Sequence, residues 1–280
     1  MGYYTGTFFS KSLEMDTQLG VILPQDSRKH NGVEPIKEGV TPSAKPKTLI
    51  LLHGLGDNYL AWAARTSILR YAEEYDVAVL MPEVCRSWYT DMKYGRKYFQ
   101  YIAEELPAYA SSVFQINTAP EDCMIAGLSM GGYGALKCGL TYPEKYMGVG
   151  VFSSAWDMEE KVLHNNIGVD AFKKEELEKD RVSILGDASG LPEECDIRKL
   201  FKKADEQEAR PQFYMICGTE DFLYEDNQKL KAMFANSMQN WKYSEMPGSH
   251  EWAVWDRAIQ YLLDYFIRGN VPKEKYGKNE

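Results

Sequence analysis

Residues Ile125–Ala135 read IAGLSMGGYGA, with Gly127 and Gly131 two positions either side of Ser129 and with Gly132 and Gly134 following. Glycine at these offsets permits a turn too tight for a Cβ, and such a turn holds a serine out in strained backbone angles. Just upstream, CMIAG (123–127) is apolar without alternation and reads as a strand buried on both faces. Just downstream, GGYGALKCGLTYP (131–143) reads as a small-residue helix stopped near Pro143. Strand, G-x-S-x-G and helix in that order form the arrangement of a nucleophile elbow. A glycine-rich turn without chemistry has the same local pattern, so the serine needs partners elsewhere in the chain.

The flanking sequence supplies a matching framework. The runs TLILLHG (48–54), VAVLMP (77–82), MGVGVFSSA (147–155), QFYMICG (212–218) and KYSEMPG (242–248) read as further strands, after two opening strands in YYTGTFFSKSL (3–13) and QLGVILP (18–24). Helical patterns occupy AARTSILRYAEEY (63–75), most of 95–114, NQKLKAMFANSMQN (227–240) and the amphipathic 251–269. Strands alternating with helices predict an α/β chain, with a mostly parallel central sheet, right-handed crossovers and helices on both faces. Residues 25–47 read as a long surface loop, and 270–280 as a frayed tail. The charged, weakly helical stretch 157–210 breaks the rhythm and reads as a small cap inserted above the sheet, the whole of 1–280 forming a single domain.

Composition narrows the function classes. The chain has 280 residues, 44% hydrophobic and 26% charged, as in ordinary globular proteins. A net charge of -9 argues against nucleic-acid or anionic-membrane partners, which attract basic surfaces. Five cysteines, an odd count without a C-x-x-C pair, suit reduced thiols in a cytoplasmic protein better than disulfides or a zinc site. The opening MGYYTGTFFSKSLEMD lacks the basic and apolar regions of a signal peptide, and no apolar run approaches a membrane span.

A serine hydroxyl needs a base, and the base an orienting group. The histidines are His30, His53, His164 and His250. His250, in PGSHEW, follows the last strand, at the carboxyl edge where open α/β sheets gather their ligand and catalytic groups. Asp221, in CGTEDFLYEDN, follows the preceding strand at the same edge; Glu220 and Asp226 are the alternatives, Asp226 looking more like a first-turn helix carboxylate. The chain order Ser129, Asp221, His250 is that of α/β-hydrolases. Ser129 would attack an acyl carbon, His250 would shuttle the proton, and Asp221 would hold the imidazole. The backbone amides of Met130, next to the nucleophile, and of Leu55, in HGLGDN, are the expected oxyanion donors. This chemistry calls for neither metal nor cofactor.

Together LLHGLGDN, GLSMGGYGALK, CGTEDFLYEDN and GSHEWAVWD resemble the esterase D / tributyrin esterase group of α/β-hydrolases, over nearly the whole chain. The resemblance implies the same nucleophile, acid, base and oxyanion amides. It also implies carboxylesterase action on short acyl esters such as acetyl or feruloyl esters, the alternative being thioester hydrolysis as in S-formylglutathione hydrolases or acyl transfer, and relatives that often form homo-oligomers. Trp88 and Trp156, in strand-end loops, are candidate substrate contacts. Asp91, near Trp88, reads equally as a turn carboxylate. The competing class, a non-catalytic binding protein on the same scaffold, is disfavoured by a complete set of reacting groups.

Overall fold

In the computed structural model of the protein, the described residues are 1–25, 37–41, 43–169 and 172–269. Strands β1 (Gly2–Ser10) and β2 (Met15–Leu23) form an antiparallel hairpin in register from Gly2↔Leu23 to Ser10↔Met15. β2 also pairs antiparallel with β4 (Val77–Pro82). All other pairings, among β3 (Lys47–Leu52), β4, β5 (Cys123–Leu128), β6 (Gly148–Phe152), β7 (Gln212–Gly218) and β8 (Asn240–Met246), are parallel. The sheet order is β1-β2-β4-β3-β5-β6-β7-β8.

The unbroken apolar runs follow from this placement. Successive strand residues face opposite sides, so Ile50, Leu52, Leu80 and Ile125 enter one core while Leu49, Leu51, Val79 and Met124 enter the other. Helices α1 (Ala61–Arg65), α2 (Ile68–Glu74) and α8 (Trp252–Arg268) cover the second face. The first is covered by α3 (Leu106–Phe114), α4 (Met130–Thr141), α5 (Lys174–Leu185) and α6 (Ile197–Asp205), with α7 (Tyr224–Ala235) beside β7. The apolar stripe of α8 buries Val254, Trp255, Ala258, Ile259, Leu262 and Leu263. At about 1.5–3 kcal/mol for each large side chain taken fully out of water, that stripe anchors the element next to His250.

Two predicted helices differ in detail. The one expected over 63–75 is two: Thr66 is extended at φ -133° and ψ 173°, its Oγ1 donates to Trp62 O at 2.6 Å, and Ile68 N donates to that Oγ1 at 3.2 Å. Such hydroxyl bonds compete with the helical ladder, and Asp256 of α8 accepts from Ser67 N at 2.9 Å. The segment expected over 95–114 contains a π-helical turn, Tyr101–Glu105. That turn presents Glu105 to the β1–β2 hairpin, where its carboxylate accepts from Ser10 Oγ (2.7 Å), Lys11 N (2.7 Å) and Ser12 N (2.9 Å).

Burial alone would raise the Glu105 carboxyl; the bonds from Ser12, Ser10 and Lys11 outweigh it and hold it below the usual range. A depressed folded-state value stabilises the protein above the unfolded carboxylate pKa and is lost as pH falls through the folded one. Replacing Glu105 by Gln should therefore cost about 1 kcal/mol near neutral pH, discounted for its partial exposure. That is a fall of about 2–4 °C in melting temperature, and the gap from wild type should close in acid. A melting series over pH checks both; a gap that widened in acid would contradict the assignment.

Of the 25–47 loop, residues 26–36 and 42, with His30, lie outside the described residues, as does the 270–280 tail. The stretch 157–210 holds a π-helical turn (Glu159–Leu163), α5 and α6. Ion pairs Arg86–Asp180 (2.6 Å) and Lys161–Asp226 (2.8 Å) tie it to the elements below, and Arg198–Asp157 (2.5 Å) joins two parts of the stretch itself. Its second half departs from a free-standing insertion: α6 buries Leu200, Phe201 and Ala204 in the same core as α4.

Candidate active site

Ser129 stands between β5 and α4 with φ 53° and ψ -117°, a conformation that costs a non-glycine residue about 1–3 kcal/mol. The surroundings enforce it. Ser129 N donates to Phe152 O at 2.9 Å, and Ser129 O accepts from Tyr133 N and Ala155 N, each at 3.2 Å. A Cβ on Gly127 would lie 2.3 Å from Gly131 O, and one on Gly131 would lie 2.6 Å from Leu52 O. The two glycines are thus where the elbow backbone touches itself and β3.

Asp221 and His250 sit at the carboxyl ends of β7 and β8. His250 Nδ1 lies 3.0 Å from Asp221 Oδ1 and 2.9 Å from Oδ2, and the Asp221 side chain is fully buried. Leu223 N donates to Asp221 Oδ1 at 2.8 Å, a second hold on the carboxylate. The two loops are locked together: Thr219 N donates to Met246 O, Glu220 N to Gly248 O, and Gly248 N to Glu220 Oε2. Glu220 therefore bonds the backbone of the His250 loop instead of its ring. Its carboxyl is held below the usual range by the Thr219 hydroxyl and the Gly248 amide. Asp226 lies in the first turn of α7, paired with Lys161 and Lys229.

Ser129, His250 and Leu55 open onto one cavity of about 530 Å³, within the range that holds a small ligand. Among the described residues no hydrogen bond joins Ser129 Oγ to the His250 ring; the two meet through this shared space. Phe222 and Trp255 flank the ring, with centroids at 4.6 and 4.9 Å, and Trp255 Nε1 donates to Ser153 Oγ. Met130 is the first residue of α4, so its amide has no intrahelical acceptor and lies at the positive end of the helix dipole.

His53, read from sequence only as a strand end, has a positioning role. Its Nε2 accepts from Val84 N at 3.2 Å and lies 3.6 Å from Glu83 Oε1, and its Nδ1 donates to Gly54 O at 2.9 Å. That carbonyl shares a planar trans peptide with the Leu55 N–H, so holding one aims the other in the opposite direction. The ring is buried, and Tyr89 Oη donates to His53 O at 2.8 Å.

Trp88 lies on the cavity wall, buried, at φ 51°, edge-on to Tyr133. Trp156 does not: its Nε1 donates to Asp226 O at 2.7 Å and Arg198 covers its ring at 4.7 Å, while the neighbouring Ala155 faces the cavity. The expected contact at Trp156 is corrected to a packing role. Asp91 Oδ1 accepts from Gln100 N at 3.0 Å, a capping bond away from the cavity. The other wall residues include Ile167, Val169 and Phe172 of the 157–210 stretch, together with Asp57.

The sheet order, the strained serine and the histidine held by a buried acid belong to a serine hydrolase of the α/β-hydrolase fold. Comparison with known proteins gives the same class. A family model described as "Putative esterase" matches residues 10–263. The chain is 32% identical over 269 residues to an acetyl esterase of Caldicellulosiruptor saccharolyticus, covering 93% of this chain and 96% of that protein. Among solved structures, it resembles FphF, a fluorophosphonate-binding serine hydrolase of Staphylococcus aureus, at 31% identity and a TM-score of 0.80, covering 95% and 98% of the two chains. S-formylglutathione hydrolase FrmB from the same organism matches at 31% and 0.78 over the same shares. The chain belongs to this esterase family. It is a carboxylic ester hydrolase of the serine type.

Proposed function

We propose that the protein hydrolyses short-chain carboxylic esters through an acyl-enzyme on Ser129. His250 is the base, Asp221 its orienting partner, and the Leu55 and Met130 amides the oxyanion donors. The observation carrying this reading is the pairing of buried Asp221 with half-buried His250, whose ring opens onto the cavity that the Ser129 elbow also lines. Ser129 Oγ attacks the acyl carbon as His250 Nε2 takes its proton. The tetrahedral oxyanion collapses, the alcohol leaves with that proton, and water repeats the sequence to release the acid.

The 157–210 stretch caps the cavity through Ile167, Val169 and Phe172. Five free thiols suit a reducing cytoplasm. No helix among the described residues is long and apolar enough to cross a membrane. The acyl group fits the acetyl class, by likeness to the 32%-identical acetyl esterase.

The test is covalent. A fluorophosphonate should add one equivalent of mass to Ser129 and abolish p-nitrophenyl acetate hydrolysis in step with labelling. Activity that survived complete labelling would remove Ser129 from the reaction.

A further inference from the structure

The cavity carries charge that the ester reaction does not use. Asp57, on the turn after β3, lines its wall, and Glu220 lies at its rim; no lysine or arginine lines it among the described residues. The carboxylate is close to the reacting centre. The point where a Cβ would sit on Gly54 is 3.2 Å from Asp57 Oδ2 and 3.8 Å from Ser129 Cβ, so the two atoms lie within ~7 Å of each other.

Asp57 is half-buried, whereas the inner wall at Leu128, Ala155 and Trp255 is buried. An apolar acyl chain suits the apolar floor, which leaves the half-open Asp57 side for the alcohol part. Burial raises the Asp57 carboxyl; His53, Arg65, the Gly54 amide and His250 act in the opposite direction. Arg65 is exposed and lies over the Trp252 ring at 5.8 Å, outside the wall, where water screens it.

We infer that Asp57 is a specificity-determining carboxylate that favours esters with a neutral or cationic alcohol part and turns away anionic ones. The inference rests on the esterase reading above. It separates this chain's substrate class from thioesters of acidic peptides such as S-formylglutathione, whose glutathione part carries a net negative charge. Two like charges at this range, at the effective dielectric of a pocket rim and after ionic screening, change kcat/KM by about tenfold.

The experiment uses three acetates of matched shape: acetylcholine (cationic), 3,3-dimethylbutyl acetate (neutral) and 2-sulfoethyl acetate (anionic). In the wild type, kcat/KM should fall from cationic to anionic by about tenfold or more, and the span should shrink with added salt. Asp57→Asn should compress the span several-fold, read as the ratio of cationic to anionic kcat/KM within the variant, and Asp57→Glu should keep it. A wild type that hydrolyses all three esters equally overturns the inference while leaving the esterase reading intact. So does a span unchanged in Asp57→Asn. If Asp57→Asn is inactive on every ester, the wild-type span, its salt dependence and its retention in Asp57→Glu decide: all three support the inference, and the absence of any one overturns it. Failure of the wild type on all three acetates and on p-nitrophenyl acetate would instead sink the esterase reading.

Discussion

Ser129→Ala should lower kcat on p-nitrophenyl acetate by about 10⁴- to 10⁶-fold while KM moves by only a few-fold. The cavity wall that binds the ester is otherwise unchanged: Trp88, Phe222 and Trp255 remain, and so does the Asp221–His250 pair. What disappears is the atom that forms the acyl-enzyme. Residual rate over water would come from the oxyanion donors and from binding. Stability should hardly change, because alanine at φ 53° carries the same backbone strain as serine and the Oγ faces the cavity. Steady-state kinetics beside a melting curve separates the two effects. A variant that folds like wild type and retains more than about one hundredth of its turnover would mean that another group is the nucleophile.

The sequence could show a serine set up this way because the elbow is a local object. Gly127 and Gly131 are required by contacts within one turn and its neighbouring strand, and those contacts leave a pattern in contiguous residues. The buried strands were equally legible: β4 and β7 coincide with the apolar runs VAVLMP and QFYMICG, since a strand covered on both faces leaves few polar residues to blur its ends. Asp221 and His250 could be proposed from chain order, and the structure places them in contact.

What sequence could not show was the direction a side chain takes outside regular structure. Trp156 and Ala155 are adjacent after β6, yet only Ala155 reaches the cavity, because Arg198 and Asp226, distant in sequence, claim the indole. Ile167, Val169 and Phe172 lie in a stretch without apolar period, so nothing marked them as wall residues. His53 reads from sequence as a strand end because its hydrogen-bond partners Gly54 O and Val84 N are backbone atoms, and the Glu83 carboxylate near its Nε2 lies thirty residues away in the chain. Trp255 was detectable in principle: it lies three residues after Trp252 on the same helical face, the spacing that brings both to the cavity.

Asp221→Asn should cost about 10⁴-fold in kcat, nearly as much as losing the nucleophile, although it exchanges one atom for another of similar size. The reason lies in which side of the amide faces the ring. Leu223 N donates to Oδ1 at 2.8 Å, so an asparagine keeps its oxygen there, 3.0 Å from His250 Nδ1, and puts its Nδ2 at the nearer position, 2.9 Å from the same nitrogen. A donor then meets Nδ1, which must give up its proton to accept. The proton moves to Nε2, and the nitrogen facing the cavity can no longer take one from Ser129. The imidazolium formed on attack also loses its buried counter-charge. Fluorophosphonate labelling, which needs the same activated serine, should slow in parallel with ester turnover. Glu220→Gln is the control, because Glu220 bonds the Gly248 amide and the Thr219 hydroxyl instead of the ring, and it should retain activity within about tenfold. If Glu220→Gln were instead the damaging change and Asp221→Asn the mild one, the acid would have to be reassigned to the neighbouring residue.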